Sequence, residues 1–198
     1  MTTKVNILID GGFFNRKFLE THKRAATPTD VVTEANNAMR LLIAKTAGDT
    51  KDILFRVYYY DCKPYSGKAK SHDKSQEIVF SKSNIYSTKC FFLKELTKQD
   101  KFALRLGELS FDGWKQDLHN QQIYKPCFRQ KGVDMKVGLD MASMATKRIV
   151  DKIILIAGDS DFISPIKFVR KEGLQVYLYS MGHKVKAQLL EHCDFILN

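Results

Sequence analysis

Apolar residues in this chain fall in short unbroken runs, and stretches with helical spacing separate those runs. Ile153-Ile154-Leu155-Ile156-Ala157 is long enough for a buried strand and ends abruptly at Gly158-Asp159-Ser160-Asp161-Phe162. Such a run, flanked by helical patterns, reads as an interior strand of a parallel sheet. Val5-Asn6-Ile7-Leu8-Ile9 repeats the layout: a strand, then Asp10, then a tight Gly11-Gly12 turn, then a helix from Phe13 to about Thr21. Thr27 and Pro28 open the next helix as N-cap and first helical residue. Its apolar face is Val31, Ala35, Ala38, Met39, Leu42 and Ile43, and Gly48 stops it. Ile53 to Tyr60 is β-branched and aromatic, reads as a second strand and ends at Asp61. A strand, helix and strand joined by a crossover of this length form a βαβ unit.

From Cys62 to about Phe102 the pattern loosens into lysines and serines with a few aromatics, with helical spacing in Ser75–Asn84 and Phe91–Lys98. Phe102 to Leu109 alternates as a strand does. Asp112 to Lys125 reads as loop, and Gln122 to Phe128 as a returning partner strand. A helix from Val133 to about Ile149 follows. The 153–157 strand comes next, then a helix from Asp161 to Glu172, a strand at Gln175–Tyr179, a helix at Val185–Glu191 and an edge strand at Asp194–Leu197. Alternating strands and helices predict an α/β fold with a mainly parallel central sheet and helices on both faces.

The length of 198 residues suits one domain, with residues 62–102 as a basic insertion. Cys62, Cys90, Cys127 and Cys193 have no metal-ligand spacing and read as free thiols. No apolar run is long enough to span a membrane, and Met1-Thr2-Thr3-Lys4 leads into a strand rather than a signal peptide, so a cytoplasmic protein is expected. The net charge of +10 calls for an anionic partner, with nucleic acid first and membrane second. A homo-oligomer is left open.

The chemistry lies in the carboxylates. Asp10 and Asp159 end predicted parallel strands, where ligands of open α/β sheets bind, and Asp161 follows two residues on. On the helix from Val133, Asp134 and Asp140 flank the apolar arc of Val137, Met141 and Met144 instead of lying opposite it. Each acid also has a local reading, as an N-cap, a turn residue or a solvated charge. Two bare carboxylates 4 Å apart repel by about 4 kcal/mol at an effective dielectric near 20. A convergent set therefore holds protons or takes a cation, and hard oxygen donors at a hydrated site suit Mg²⁺ or Mn²⁺. Such an ion polarises a phosphoryl oxygen and activates water. Arg16, Lys17, Lys131 and Lys136 are candidates to hold phosphates, and Ser160 to orient a ligand or cap a helix. Tyr65 and Phe91 are candidates to stack bases or pack, and Tyr58, Tyr59 and Tyr60 are expected to split between core and surface.

Three blocks carry a resemblance. Ile9-Asp10-Gly11-Gly12, Lys131-Gly132-Val133-Asp134 with Asp140 downstream, and Gly158-Asp159-Ser160-Asp161-Phe162 resemble, in order, the signature blocks of the NYN domain, a family of the PIN-like nuclease superfamily. The resemblance implies one PIN-like α/β/α three-layer domain over residues 1–198. It also implies a Mg²⁺- or Mn²⁺-dependent ribonuclease, with RNA as partner. Asp10, Asp134 and Asp159 are carried over as metal ligands, Asp161 as a further catalytic acid and Asp140 as an additional acid. Asn15, Arg16, Lys131 and Ser160 are the substrate-binding candidates. Many members of the family have an Asn three residues after the first Asp; here Phe13 stands there, and Asn15 is nearest. Two other readings stay open. One is a catalytically silent NYN module that binds RNA or protein. The other is phosphoryl transfer with Asp10 as nucleophile, although Gly12 occupies the position of that scheme's second acid.

Overall fold

The computed structural model describes residues 2–46, 51–118, 120 and 122–197. Strand β1 (Thr2–Asp10) lies at the centre of a seven-stranded sheet. Helices α1 (Gly11–His22) and α2 (Pro28–Thr46) lead to β2 (Lys51–Cys62). A small antiparallel pair follows, β3 (Lys68–Lys70) with β4 (Glu77–Val79), and then α3 (Asn84–Thr97). Next come β5 (Phe102–Gln116), β6 (Tyr124–Lys131) and α4 (Val133–Thr146). The chain closes with β7 (Lys152–Ile156), α5 (Ile163–Lys171), β8 (Gln175–Tyr179), α6 (Ala187–His192) and β9 (Phe195–Leu197).

The strand order is β6-β5-β2-β1-β7-β8-β9, and every neighbouring pair is parallel except β5 with β6. From β1 the chain builds outward to β2 and β5, then crosses back to add β7, β8 and β9 on the other side. The boundary between β1 and β7 is therefore the topological switch point, and a crevice opens beyond the strand ends there. Ile9 pairs with Ile156, so Asp10 and the Gly158–Asp161 turn leave the sheet side by side.

Strand alternation divides the core. Val5, Ile7 and Ile9 face α1, α2 and α3, where Phe14, Leu42 and Leu96 are fully buried. Leu8 faces α4, α5 and α6, against Val137, Met141 and Ile166. Tyr58, Tyr59 and Tyr60 all lie in the core, on alternate faces, rather than splitting between core and surface. Ile43, expected on the apolar face of α2, is half exposed at 50%. Gly48, the expected stop, lies outside the described residues. Among the described residues no helix is long and apolar enough to cross a membrane, and the four cysteines are free thiols.

The start of α2 is fixed by its residue types. Thr27 Oγ accepts from the Asp30 amide at 3.3 Å, and the Asp30 carboxylate takes the Thr27 amide at 2.7 Å and a two-pronged bond from Arg24. This reciprocal box satisfies amides that a helix start leaves without partners. Thr27→Ala is expected to cost about 1 kcal/mol, read as a fall of roughly 2–4 °C in Tm.

The stretch 62–116 departs most from expectation. Residues 77–79 form a strand rather than a helix, and the helix lies at Asn84–Thr97, capped by Ser83 accepting from the Tyr86 amide at 3.2 Å. β5 continues to Gln116 through residues read as loop. Its first part pairs with β2 inside the sheet, and its second pairs with β6 as an antiparallel arm. The β3–β4 hairpin supports this arm. The Trp114 indole donates to the Lys70 carbonyl at 2.9 Å, and Tyr65 and Phe80 pack on Phe111 and Phe128.

Candidate active site

Asp10, Asp134 and Asp159, from three separate elements, line one cavity of about 340 Å³ at the switch point. Gly12, Phe13, Arg16, Gln130, Gly158, Ser160 and Lys186 complete its wall.

Asp10 ends β1 and caps α1. Its Oδ1 accepts from the amides of Gly12 at 2.9 Å and Phe13 at 3.2 Å, which leaves Oδ2 for another partner. Burial raises its carboxyl above the ordinary range. The Phe13 and Gly12 amides pull it back, while the Asp134 charge adds to the rise and Arg16 opposes it. Asp134 lies in the first turn of α4, which follows Gly132, an N-cap with φ of 76° and no side-chain cap bond. A positive φ of this size suits glycine. Burial, then the charges of Asp159 and Asp161, raise the Asp134 carboxyl as well. Asp159 follows β7 and accepts from the Asp161 amide at 3.1 Å, which opens a short 3-10 turn, Ser160–Phe162, ahead of α5. The acids thus influence one another electrostatically across the cavity, and two cations, Arg16 and Lys186, share it with them. Lys186 also donates to Ser160 Oγ at 3.3 Å.

Gly158 sets how closely the two strand ends approach. A Cβ there would lie 2.4 Å from Cε2 of Phe13, a ring that is itself buried. Phe13, at the position where the family pattern has Asn, is therefore a packing residue that seals the floor between β1 and β7. Gly158→Ala is expected to cost about 1–3 kcal/mol through overpacking and to widen the gap between Asp10 and Asp159, measurable by thermal melting alongside any activity assay.

The other candidates are placed as follows. Arg16 and Ser160 border the cavity; Asp161 is exposed just outside it, and its charge reaches Asp134. Asp140 lies two turns along α4 and is engaged elsewhere, accepting from the Tyr60 hydroxyl at 2.9 Å and Arg105 Nε at 2.8 Å. Asn15 donates to the Gly11 carbonyl at 2.7 Å and the Tyr59 hydroxyl at 2.9 Å, and borders a separate apolar groove between α1 and α3. Lys131 is exposed at the end of β6, opposite Glu108, and does not border the cavity. Asp61 is buried and paired with Lys89. Gln130 and Lys186 line the cavity although the amino-acid order does not single them out. No local pattern marks them, because the first belongs to the arm and the second to the turn after β8.

Whether these residues suit a divalent ion is decided by donor type and spacing. Among the described residues no three acid, His or Cys side chains are close enough to form a ready-made metal cage. Mg²⁺ does not need one: it keeps several waters and takes one or two carboxylates directly. Asp10 with a spare oxygen, Asp134 and Asp159 supply hard oxygen donors around an open, polar cavity. They fit a hydrated ion held between them rather than one enclosed by protein.

The NYN domain family model matches residues 59–197, and the chain belongs to this family, which comprises PIN-like nucleases. The matched residues include Asp134 and Asp159; Asp10 lies ahead of them. No curated protein matches the chain. Among solved structures, a protein of unknown function from Vibrio parahaemolyticus RIMD 2210633 has a similar fold. Its TM-score is 0.52 at 14% identity, over 99% of this chain and 92% of that one.

Proposed function

We propose that the protein is a metal-dependent ribonuclease, folded as one NYN-type domain, that hydrolyses RNA phosphodiester bonds at the β1/β7 crevice. The observation that carries this reading is the meeting of Asp10, Asp134 and Asp159 in one cavity with Arg16 and Lys186. A Mg²⁺ or Mn²⁺ ion bound there would polarise the scissile phosphoryl group and activate the attacking water. Asp10, Asp134 and Asp159 would hold the ion. Asp161 adds negative charge beside them. Arg16 and Lys186 offset the charge of the entering phosphate, and Ser160, fixed by Lys186, presents a hydroxyl to it. The net charge of +10 draws the polyanion towards an otherwise acidic crevice.

A silent RNA-binding module is the second reading, favoured by the lack of a ready-made metal cage among the described residues. Incubating a labelled RNA with the protein in Mg²⁺ or Mn²⁺, and again in excess EDTA, separates the two. Cleavage in metal that EDTA abolishes is expected. Binding without cleavage under every metal condition would select the silent module.

A further inference from the structure

A second cavity, about 510 Å³ in volume, lies beside the acidic one, and Gln130 borders both. It lies where the arm leaves the sheet beyond β2 and β5, with α3 on its other side, and Tyr65, Phe80, Trp114 and Phe128 line it. The rings pack edge to face or tilted, Phe80 at 5.4 Å and Tyr65 at 5.6 Å from Phe128. Phe80 is buried, but Tyr65, Trp114 and Phe128 keep part of their surface open. A minor core built only for support would close over such rings. Here the hairpin and α3 hold them around a space within the range of small-ligand pockets. Ser83, Tyr86 and Gln130 put polar groups among the rings. Lys63 and Lys82, both exposed, adjoin the lining residues Pro64 and Ser83 in sequence.

We infer that this cavity is a nucleobase subsite, taking one unpaired base of an RNA strand whose backbone continues into the acidic cavity. The inference rests on the ribonuclease reading above and adds a substrate preference to it. Base faces stack on aromatic rings with little regard to sequence, and polar groups beside them read the base edge. The flanking lysines match the charge of the adjoining phosphates. The ends of β2 and β5 lie one and two strands from β1, so the centres of the two adjoining cavities lie on the order of 5–10 Å apart, about a nucleotide along an extended strand. A base paired in a duplex is unavailable to such a pocket, so single-stranded RNA is the preferred substrate.

Trp114 is the chain's single tryptophan, which makes its emission a direct reporter. The test uses the whole 198-residue chain carrying Asp10→Asn, with Mg²⁺ present. It is titrated with a short unstructured oligoribonucleotide, with the same strand made abasic, and with a blunt RNA duplex. Saturable quenching of Trp114 by the intact strand is expected, with binding roughly 10-fold weaker for the abasic strand and no quenching by the duplex. Phe128→Leu and Tyr65→Leu, which keep apolar bulk but remove a stacking face, should each weaken the intact strand towards the abasic value. Equal affinity for intact and abasic strands with unchanged emission overturns the subsite even where the parent chain cleaves RNA. So does quenching by an apolar peptide but not by RNA. Base-dependent quenching in a protein whose parent cleaves nothing upholds the subsite and removes the ribonuclease reading instead.

Discussion

Asp10→Asn and Asp159→Asn are each expected to slow metal-dependent RNA cleavage by roughly 10²–10³-fold, about 2.7–4 kcal/mol of barrier, while the protein stays folded. Asparagine still serves as an N-cap, so the Gly12, Phe13 and Asp161 amides that these acids hold keep an acceptor. The stability change should go the other way from activity. The Asp10 carboxyl is raised in the fold by burial and by Asp134. Its ionised form is therefore disfavoured relative to the unfolded chain. That penalty is present above the folded value and disappears below the unfolded one. At neutral pH without metal, Asp10→Asn should thus melt at or above the parent's temperature. Adding Mn²⁺ should raise the parent's Tm by ligand linkage and leave the variant's nearly unchanged. Parent-like cleavage by both variants would remove the proposed mechanism.

The largest expected stability effect lies at the opposite end of the sheet. Lys152, at the start of β7, donates to Asp52 of β2 at 2.7 Å, and the two side chains are 6% and 1% exposed. Thr46 donates to the same carboxylate at 2.9 Å, and Thr3 donates to it as well. Burial pushes the Asp52 carboxyl up, but the Lys152 ammonium and the two hydroxyls hold it below the ordinary range. Lys152→Met keeps the stem and removes the charge, taking the Lys152 ammonium away from a buried carboxylate. Loss of about 3–5 kcal/mol is expected, or roughly 6–20 °C in Tm. Because the native carboxyl is depressed, its contribution is present above the unfolded value of about 3.9 and fades as pH falls through the folded one. The gap between parent and variant should therefore narrow on acidification below about pH 4. Replacing both partners, Asp52→Leu with Lys152→Met, should recover most of the loss. Denaturant melts at neutral and acid pH check all three statements.

Much of the sheet is legible from the amino-acid order because its inner strands are buried on both faces. Val5–Ile9, apolar but for the buried Asn6, and Ile153–Ala157 are short runs of the kind that strands buried on both faces carry. The arm is hidden for the converse reason. Asp112, Lys115, Tyr124, Lys125 and Pro126 are exposed, and only the partner strand makes that segment a strand. The acidic cavity is partly legible, since Asp10 and Asp159 follow apolar strands and Asp134 begins a helix of clear spacing. The helical wheel places Asp140 beside the apolar arc but says nothing of Tyr60 and Arg105, which reach it from β2 and β5. Asn15 shows the same limit: its amide nitrogen donates to its own helix turn and to Tyr59.

The double membership of β5 makes residues 62–102 impossible to treat as a detachable ornament. Excising the hairpin and α3 would strip Phe111 and Trp114 of β5 and Phe128 of β6 of their cover while β5 stays anchored beside β2 and holds β6 with it. A shortened chain would present a sticky aromatic blade next to the crevice and self-associate through it. Any minimal version of this chain must keep the whole segment or redesign the blade along with it.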